Sequence, residues 1–264
     1  MSLQSELTRL QDNVTSISSS KDAIMTALAA KGVTVPSGAT LHDVPRLIGE
    51  IDGMSLVGHV TIGGRTYKTV KIGTQEWMAE NLDYKFQVNG ITIPIGASGI
   101  PSNPAAWYFN NNETDYGIDG TYKCGLLYNQ YAAKYLDDNK TTLLPDGWHV
   151  PTNSEYESLI VNVGSNSGMK LKSLDNSVMS GFPNDWNGTD DYAYNGLPCG
   201  RRDPDFAPGF SFFGLRGTWW TSIQDDSNTD RAYFFQLVND NNDAMIARYN
   251  KYLAFSLRLV KDAS

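Results

Sequence analysis

The side chains best equipped for chemistry are few and scattered. Three histidines, His42, His59 and His149, stand singly, with no cysteine or second histidine at the spacing a metal site needs, so they read as surface or structural residues. Cys124 and Cys199 form no local motif; they can pair only if the fold brings their Cα atoms within about 7 Å, and two unpaired thiols in or near the core are the expectation. Adjacent acids occur at Asp190-Asp191 and Asp225-Asp226, in loops rich in glycine and asparagine, where carboxylates are solvated or coordinate calcium. A calcium site from Asp185, Asn187, Asp190 and Asp191 competes there with an ordinary polar turn. No other cofactor and no metal centre is expected, and the pattern does not read as an enzyme.

The stretch from Thr218 to Tyr252 points to different chemistry, that of surface recognition. It mixes tyrosine and arginine, which offer large amphipathic area at low entropic cost, with asparagine, aspartate and serine, which hydrogen-bond adaptably. The candidate contact residues are Trp219, Ser222, Gln224, Asp225, Asp226, Ser227, Asn228, Tyr233, Asn239, Asn241, Asn242, Asp243, Arg248, Tyr249, Asn250 and Tyr252. Alternation through Ala232–Val238 predicts a strand with one apolar face, then a turn over Asn239–Asp243 and a return strand over Ala244–Arg248.

The elements that must carry this segment follow from composition and period. A chain of 264 residues, 41% hydrophobic, can bury a sizeable core, and a net charge of -8 opposes non-specific binding to nucleic acid or anionic membranes. No run approaches the roughly 20 apolar residues of a membrane span, and the first residues carry neither the basic nor the apolar region of a signal peptide. Leu3, Leu7, Leu10, Val14, Ile17, Lys21, Ile24 and Leu28 alternate steps of four and three, a heptad seam too narrow to bury itself alone. The spacing predicts a coiled-coil helix over 1–31 and a parallel homo-oligomer, with an amphipathic helix packed on its own domain as the alternative. A helical linker module follows over 32–55, with Leu41, Val44, Leu47, Ile48 and Ile51 at helical spacing.

From Val57 the period changes to strands. His59–Ile62 and Thr66–Ile72 flank Gly63-Gly64, a hairpin signal. Tyr128, Tyr131, Ala132 and Tyr135 have helical spacing, and Thr152 followed by Glu155 is a capping box for a helix over about Asn153–Val163. Residues 56–264 thus read as one α+β domain with short strands and long loops, with Trp148 and Tyr156 in its core. Arg258 reads as a buried, paired arginine, with Glu155 and Glu80 as alternative partners.

Five motifs carry a resemblance: Ile72–Tyr84, Gly125–Ala133, Leu144–Ile160, Gly214–Ser222 and Ala254–Asp262. In this order they resemble the Fibrobacter succinogenes major paralogous domain, which is similar to the formylglycine-generating-enzyme branch of the C-type lectin fold. The resemblance implies a C-type-lectin-like ligand-binding domain. The enzymes of that branch use cysteines late in the chain, and here none lies beyond Cys199, so their activity is not implied. The Thr218–Tyr252 segment also resembles the variable proteins of diversity-generating retroelements, and residues 27–51 resemble a short element of phage tail-fibre proteins. These resemblances imply a receptor-binding or adhesin protein at a tail-fibre tip or on a cell surface, trimeric, with a host-cell protein or glycan as partner. A calcium-dependent carbohydrate-binding lectin of a bacterial surface is the alternative.

Overall fold

The computed structural model describes residues 16–27, 29, 37, 58–108, 124–173, 186–205 and 209–262. The chain divides into two compact units, Met1–Val57 and Gly58–Ser264. In the first, residues 16–27 are helical. The seam positions Leu3, Leu7, Leu10, Val14 and Leu28 and the linker module predicted over 32–55 lie outside the described residues, apart from the isolated position 37 in that module. No helix among the described residues is long and apolar enough to cross a membrane.

The second unit is mostly sheet with a few short helices, an α+β body. Strands β1 (Gly58–Ile62) and β2 (Arg65–Ile72) form the expected hairpin, with Ile62 opposite Arg65. Its two-residue turn holds Gly63 and Gly64 at φ 58° and 85°, left-handed values that glycine adopts without strain. Strand β3 (Gln75–Met78) continues the sheet, and the last strand, β14 (Val260–Asp262), closes it by pairing with β3, Val260 opposite Trp77. Both ends of the unit thus share one sheet. Strands β4 (Gln87–Val88) and β5 (Ile91–Thr92) form a small separate ribbon.

A second sheet has the order β6 (Ala106–Trp107), β7 (Leu127–Asn129), β13 (Ala254–Phe255), β8 (Cys199–Arg202), β9 (Phe210–Phe213). The third is the antiparallel β10 (Arg216–Gln224), β11 (Arg231–Val238), β12 (Met245–Asn250), in which the strand and return strand expected from sequence are found. Helix α1 (Gln130–Asp138) is capped by Asn129, whose side chain accepts from Ala132 N. A short α2 (Lys140–Leu143) leads to the Asp146-Gly147 turn. Helix α3 (Asn153–Val163) begins at Thr152 with both hydrogen bonds of the capping box, as the sequence predicts, and α4 (Ser167–Leu171) follows.

Strand β10 separates two aromatic cores, because successive side chains of a strand point to opposite faces. Trp219 goes to one side, with Trp77, Tyr156, Tyr194 and Phe235, where Tyr156 and Phe235 stack at 4.4 Å. Trp220 goes to the other, with Tyr128, Trp148, Phe234 and Phe255, and stacks on Phe255 at 4.2 Å. Both indoles find acceptors, Trp219 Nε1 donating to Asn81 Oδ1 and Trp220 Nε1 to Tyr128 O, each at 2.9 Å.

Two expectations are corrected here. Cys124 and Cys199 are not free thiols; they form a disulfide, with Cα atoms 5.5 Å apart. The cause is topological: β7 and β8 flank β13, which is only two residues long, so past its end the two neighbours close on each other. Gly125, at φ 72°, follows the bridge where a Cβ would meet Leu82 O at 2.6 Å, so only glycine fits. Arg258, fully buried, pairs with neither Glu155 nor Glu80. Its guanidinium donates to Asn81 Oδ1 at 2.9 Å, Asn195 O at 2.7 Å, Met78 O at 3.3 Å and Tyr194 O. Glu80 instead pairs with Arg65, and Glu155 is used by the capping box and by His149.

The His149–Glu155 contact, Nε2 to Oε1 at 2.5 Å, makes the α3 entry pH-sensitive. The hydrogen bond to Glu155 raises the His149 pKa above its usual 6.5, against desolvation. Burial pushes the Glu155 carboxyl up, but the His149 and Thr152 hydrogen bonds outweigh it and hold it below its usual 4.5. The imidazolium's contribution is complete below pH 6.5 and fades as pH rises through its higher folded-state pKa; the carboxylate's is complete above pH 4.5 and fades on acidification. The pair therefore stabilises most between those values. Thermal melts of the wild type and His149→Gln should converge as pH is raised from about 6 to 8.5; a difference independent of pH would show that the contact carries no charge.

Candidate functional site

The residues singled out for recognition do not all reach the surface. Trp219 is fully buried, and Ser222 and Asp225 are nearly so. Trp219 fills the core beneath α3 because its position on β10 faces inward, next to Tyr194 and Phe235. Ser222 is held at Pro151 O by its backbone N at 2.8 Å and its Oγ at 3.4 Å. These two are scaffold, not contacts.

Asp225 has a different task. Its Oδ1 accepts from Ser227 N at 3.0 Å and Ser227 Oγ at 2.6 Å, folding the β10–β11 connection over itself. Asn228 Oδ1 accepts from Asp230 N in the same way, and Arg231 N returns to Asn228 O at 2.9 Å. The other Asp225 oxygen lies 3.5 Å from Arg248 Nη1 on β12, and the Arg248 guanidinium rests 5.5 Å from the Tyr233 ring centroid. Tyr233 and Arg248 are opposite each other across the β11–β12 ladder. Ser227 and then Arg248 hold the Asp225 carboxyl below its usual range, so it is ionised at neutral pH. Side chains that would wander on a free loop are therefore fixed in advance.

Around this point gather Gln224, Asp226, Ser227, Asn228, Asn250 and Tyr252, all exposed or half-exposed. Asn250 Nδ2 donates to Tyr252 OH at 2.9 Å, and that hydroxyl donates to Asp205 Oδ2 at 2.5 Å, which raises its pKa. Lys251 joins by an ammonium hydrogen bond to Gln224 Oε1. Asp205, Asp230, Arg231 and Lys251 belong to this patch and were not singled out from the sequence. Asp230, Arg231 and Lys251 lie within the segment and differ in nothing from its other polar residues, whereas Asp205 arrives from a different loop.

Asn239, Asn241, Asn242 and Asp243 form the opposite turn of the hairpin, separated from the Arg231 end by the length of β11, roughly 24 Å for eight residues. Several of the polar groups of Asn241, Asn242 and Asp243 are used internally. Asp243 Oδ1 accepts from Asn166 N at 3.0 Å, Met169 N donates to Asn242 O at 2.9 Å, and Asn241 Oδ1 accepts from Asp243 N at 2.9 Å. Lys172, buried, donates to Asn241 O at 2.8 Å and to Asn187 Oδ1 at 2.7 Å, and burial pulls its pKa down to about 8. The turn is an anchor of the frame and does not join the Arg248 patch.

The same lysine bears on the calcium alternative. Asn187 Oδ1 accepts from an ammonium group, and Asp190 Oδ1 accepts from Asn195 N at 2.7 Å, with burial pushing the Asp190 pKa up to about 6. Asp185 lies outside the described residues. Among the described residues no cluster of three or more histidine, cysteine or acidic side chains is placed to hold a metal ion.

Residues 70–261 match the family model described as the Fibrobacter succinogenes major domain. No curated protein and no solved structure matches the chain.

The Asp225 clasp generates a direct prediction. Asp225→Ala should leave the cooperative melt of the unit in place while the Ser227 amide exchanges with solvent roughly ten-fold faster, since its acceptor is gone and only the local turn opens. Unchanged exchange at Ser227 would show that the carboxylate does not order the turn.

Proposed function

The chain belongs to the Fibrobacter succinogenes major domain family, and from that premise we propose that it is a binding protein, a receptor-binding or adhesin subunit. Its contact surface is the end of the β10–β12 sheet formed by Gln224–Arg231, Tyr233 and Arg248–Tyr252. The observation that carries this reading is the clasped trio of Asp225, Arg248 and Tyr233, in which an arginine side chain about half exposed (49%) is pre-positioned by a buried carboxylate and an aromatic face. A protein that fixes its arginine and tyrosine side chains before the partner arrives spends less entropy on binding them.

The fold we assign is C-type-lectin-like. The Trp148–Glu155 helix entry and the closing Ala254–Asp262 segment, the motifs behind that resemblance, both form and pack into one body. The N-terminal helix we read as a parallel coiled coil, a trimer: Ile17 and Ile24, two of its seam residues, are 58% and 38% exposed, apolar area that identical helices alongside would cover. A trimeric stalk would convert weak single contacts into avidity. The disulfide suits an oxidising, extracellular setting such as a virion tail or a cell surface. Diversification of the Thr218–Tyr252 segment in the manner of retroelement variable proteins fits a patch whose exposed side chains can change while Trp219, Trp220 and Phe235 stay buried.

Fluorescently labelled full-length chain applied to a panel of bacterial cells tests this reading. A strain that binds the wild type should bind a Tyr233→Ala/Arg248→Ala double variant at least about ten-fold more weakly, at an unchanged melting temperature, as expected when anchor residues are truncated. Equal binding by the variant would remove this patch from consideration. Loss of binding on chelation would point instead to the calcium-dependent lectin.

A further inference from the structure

On the other face of the β10–β12 sheet lies a feature that shares only Tyr249 with the patch above. Arg201 and Ser211 are opposite each other on the β8–β9 ribbon, so their side chains share one face. The Arg201 guanidinium lies between two rings, 4.9 Å from the centroid of Phe212 and 4.9 Å from that of Tyr249. Arg216, at the start of β10, covers Phe212 at 4.2 Å. The result is a stack in the order Tyr249, Arg201, Phe212, Arg216. Phe212 holds its place at φ 61°, a left-handed value that a bulky residue rarely adopts, so the ring is set there against a local backbone preference.

The charges and hydrogen bonds of this stack do not close. Arg201 Nη2 pairs with Asp203 at 2.8 Å, which accounts for one cation. Arg216 has no carboxylate within ion-pairing distance among the described residues. Arg201 Nε and Ser211 Oγ, on the same rung, are buried and have no hydrogen-bond partner. Arg201 itself is only 9% exposed. Buried donors left unmatched and an excess guanidinium are costly in isolation and are relieved by an anionic acceptor. Desolvation and then the neighbouring Arg201 lower the Arg216 pKa, against the weaker attraction of Asp240. Arg216, Phe212 and Tyr249 are half-exposed, so the stack can be reached from solvent.

We propose that Arg201, Ser211 and Arg216 form an anion subsite for a carboxylate-bearing sugar, with Tyr249 as the platform for its ring. A planar carboxylate matches the forked donors of a guanidinium, the serine hydroxyl supplies a further donor, and the half-exposed tyrosine offers apolar area to the sugar. Tyr249 belongs to the same strand as Arg248, with its side chain on the opposite face. The inference rests on the binding reading above and names its ligand class.

Calorimetric titration of the full-length chain with trigalacturonate, its methyl-esterified and therefore uncharged twin, and inorganic sulfate tests it. Trigalacturonate should bind, the esterified trimer should bind at least ten-fold more weakly, and sulfate should not compete at equal concentration. Arg216→Gln and, independently, Ser211→Ala should each weaken trigalacturonate by about five- to ten-fold at unchanged melting temperature, and raised salt should weaken it further. Equal binding of the acid and its ester, equal competition by sulfate, or no effect of either substitution would overturn the proposal. If trigalacturonate does not bind while Tyr233→Ala/Arg248→Ala still abolishes attachment to cells, the acidic-sugar subsite falls and the adhesin reading stands.

Discussion

One buried cation governs this fold. Arg258 has no exposure to solvent, and the groups that satisfy it are neutral: the carbonyl oxygens of Met78, Tyr194 and Asn195 and the side chain of Asn81. Desolvation lowers its pKa, and the faces of Tyr194 and Trp219, 4.3 Å and 5.4 Å away, take part of its charge. A carboxylate partner could follow a moving arginine, whereas four fixed acceptors from two distant segments, 78–81 and 194–195, specify one position. Asn81 multiplies the effect, since its Oδ1 also accepts from Trp219 Nε1 and its Nδ2 donates to Cys124 O at 2.9 Å and Ser256 Oγ at 3.2 Å. The β3 sheet, the disulfide, β10 and the closing segment meet at this point.

From there the order passes outward. Residues 256–259 lie between the first sheet and β10, with Leu257 O and Leu259 O accepting from Leu82 N and Met78 N on one side and Ser256 N donating to Thr218 O on the other. Strand β10 is thereby fixed, β11 and β12 follow by pairing, and the hairpin is tied at its far turn by Lys172 and α4. Within this sheet the Gln224–Arg231 end and the outer edge of β12 remain open. The recognition surface we propose lies at this open end; Tyr249 and Tyr252 also pack against the core, whereas Asp226, Ser227, Asn228 and Arg248 are exposed and can be chosen for contact.

What the sequence revealed was what is local. The Gly63-Gly64 turn, the Thr152–Glu155 capping box and the strand–turn–strand over 232–248 depend on neighbours a few residues apart, and each formed as expected. What it concealed depends on chain segments far apart. The disulfide follows from the brevity of β13, and the partners of Arg258 are backbone carbonyls, which have no signature in a list of side chains. Trp219 and Trp220 are adjacent on a strand, and nothing in their type says that both faces of that strand are covered. The asparagines of 239–243 have the composition of a contact loop, and only the arrival of Lys172 and α4 shows where their hydrogen bonds go. Arg201 and Arg216 have no signature in the sequence because the stack that joins them draws on four strands.

Equilibrium unfolding of Arg258→Met in urea tests the dependence of the whole frame on this buried cation most directly. Methionine fills much of the volume but leaves Asn81 Oδ1 and three carbonyls short of donors, at about 1–3 kcal/mol for each that cannot relax. The predicted loss is about 3–5 kcal/mol, with both aromatic cores, reported by near-ultraviolet dichroism, melting together at the lower midpoint. A loss below about 1 kcal/mol, within the range of an ordinary surface substitution, would contradict the account.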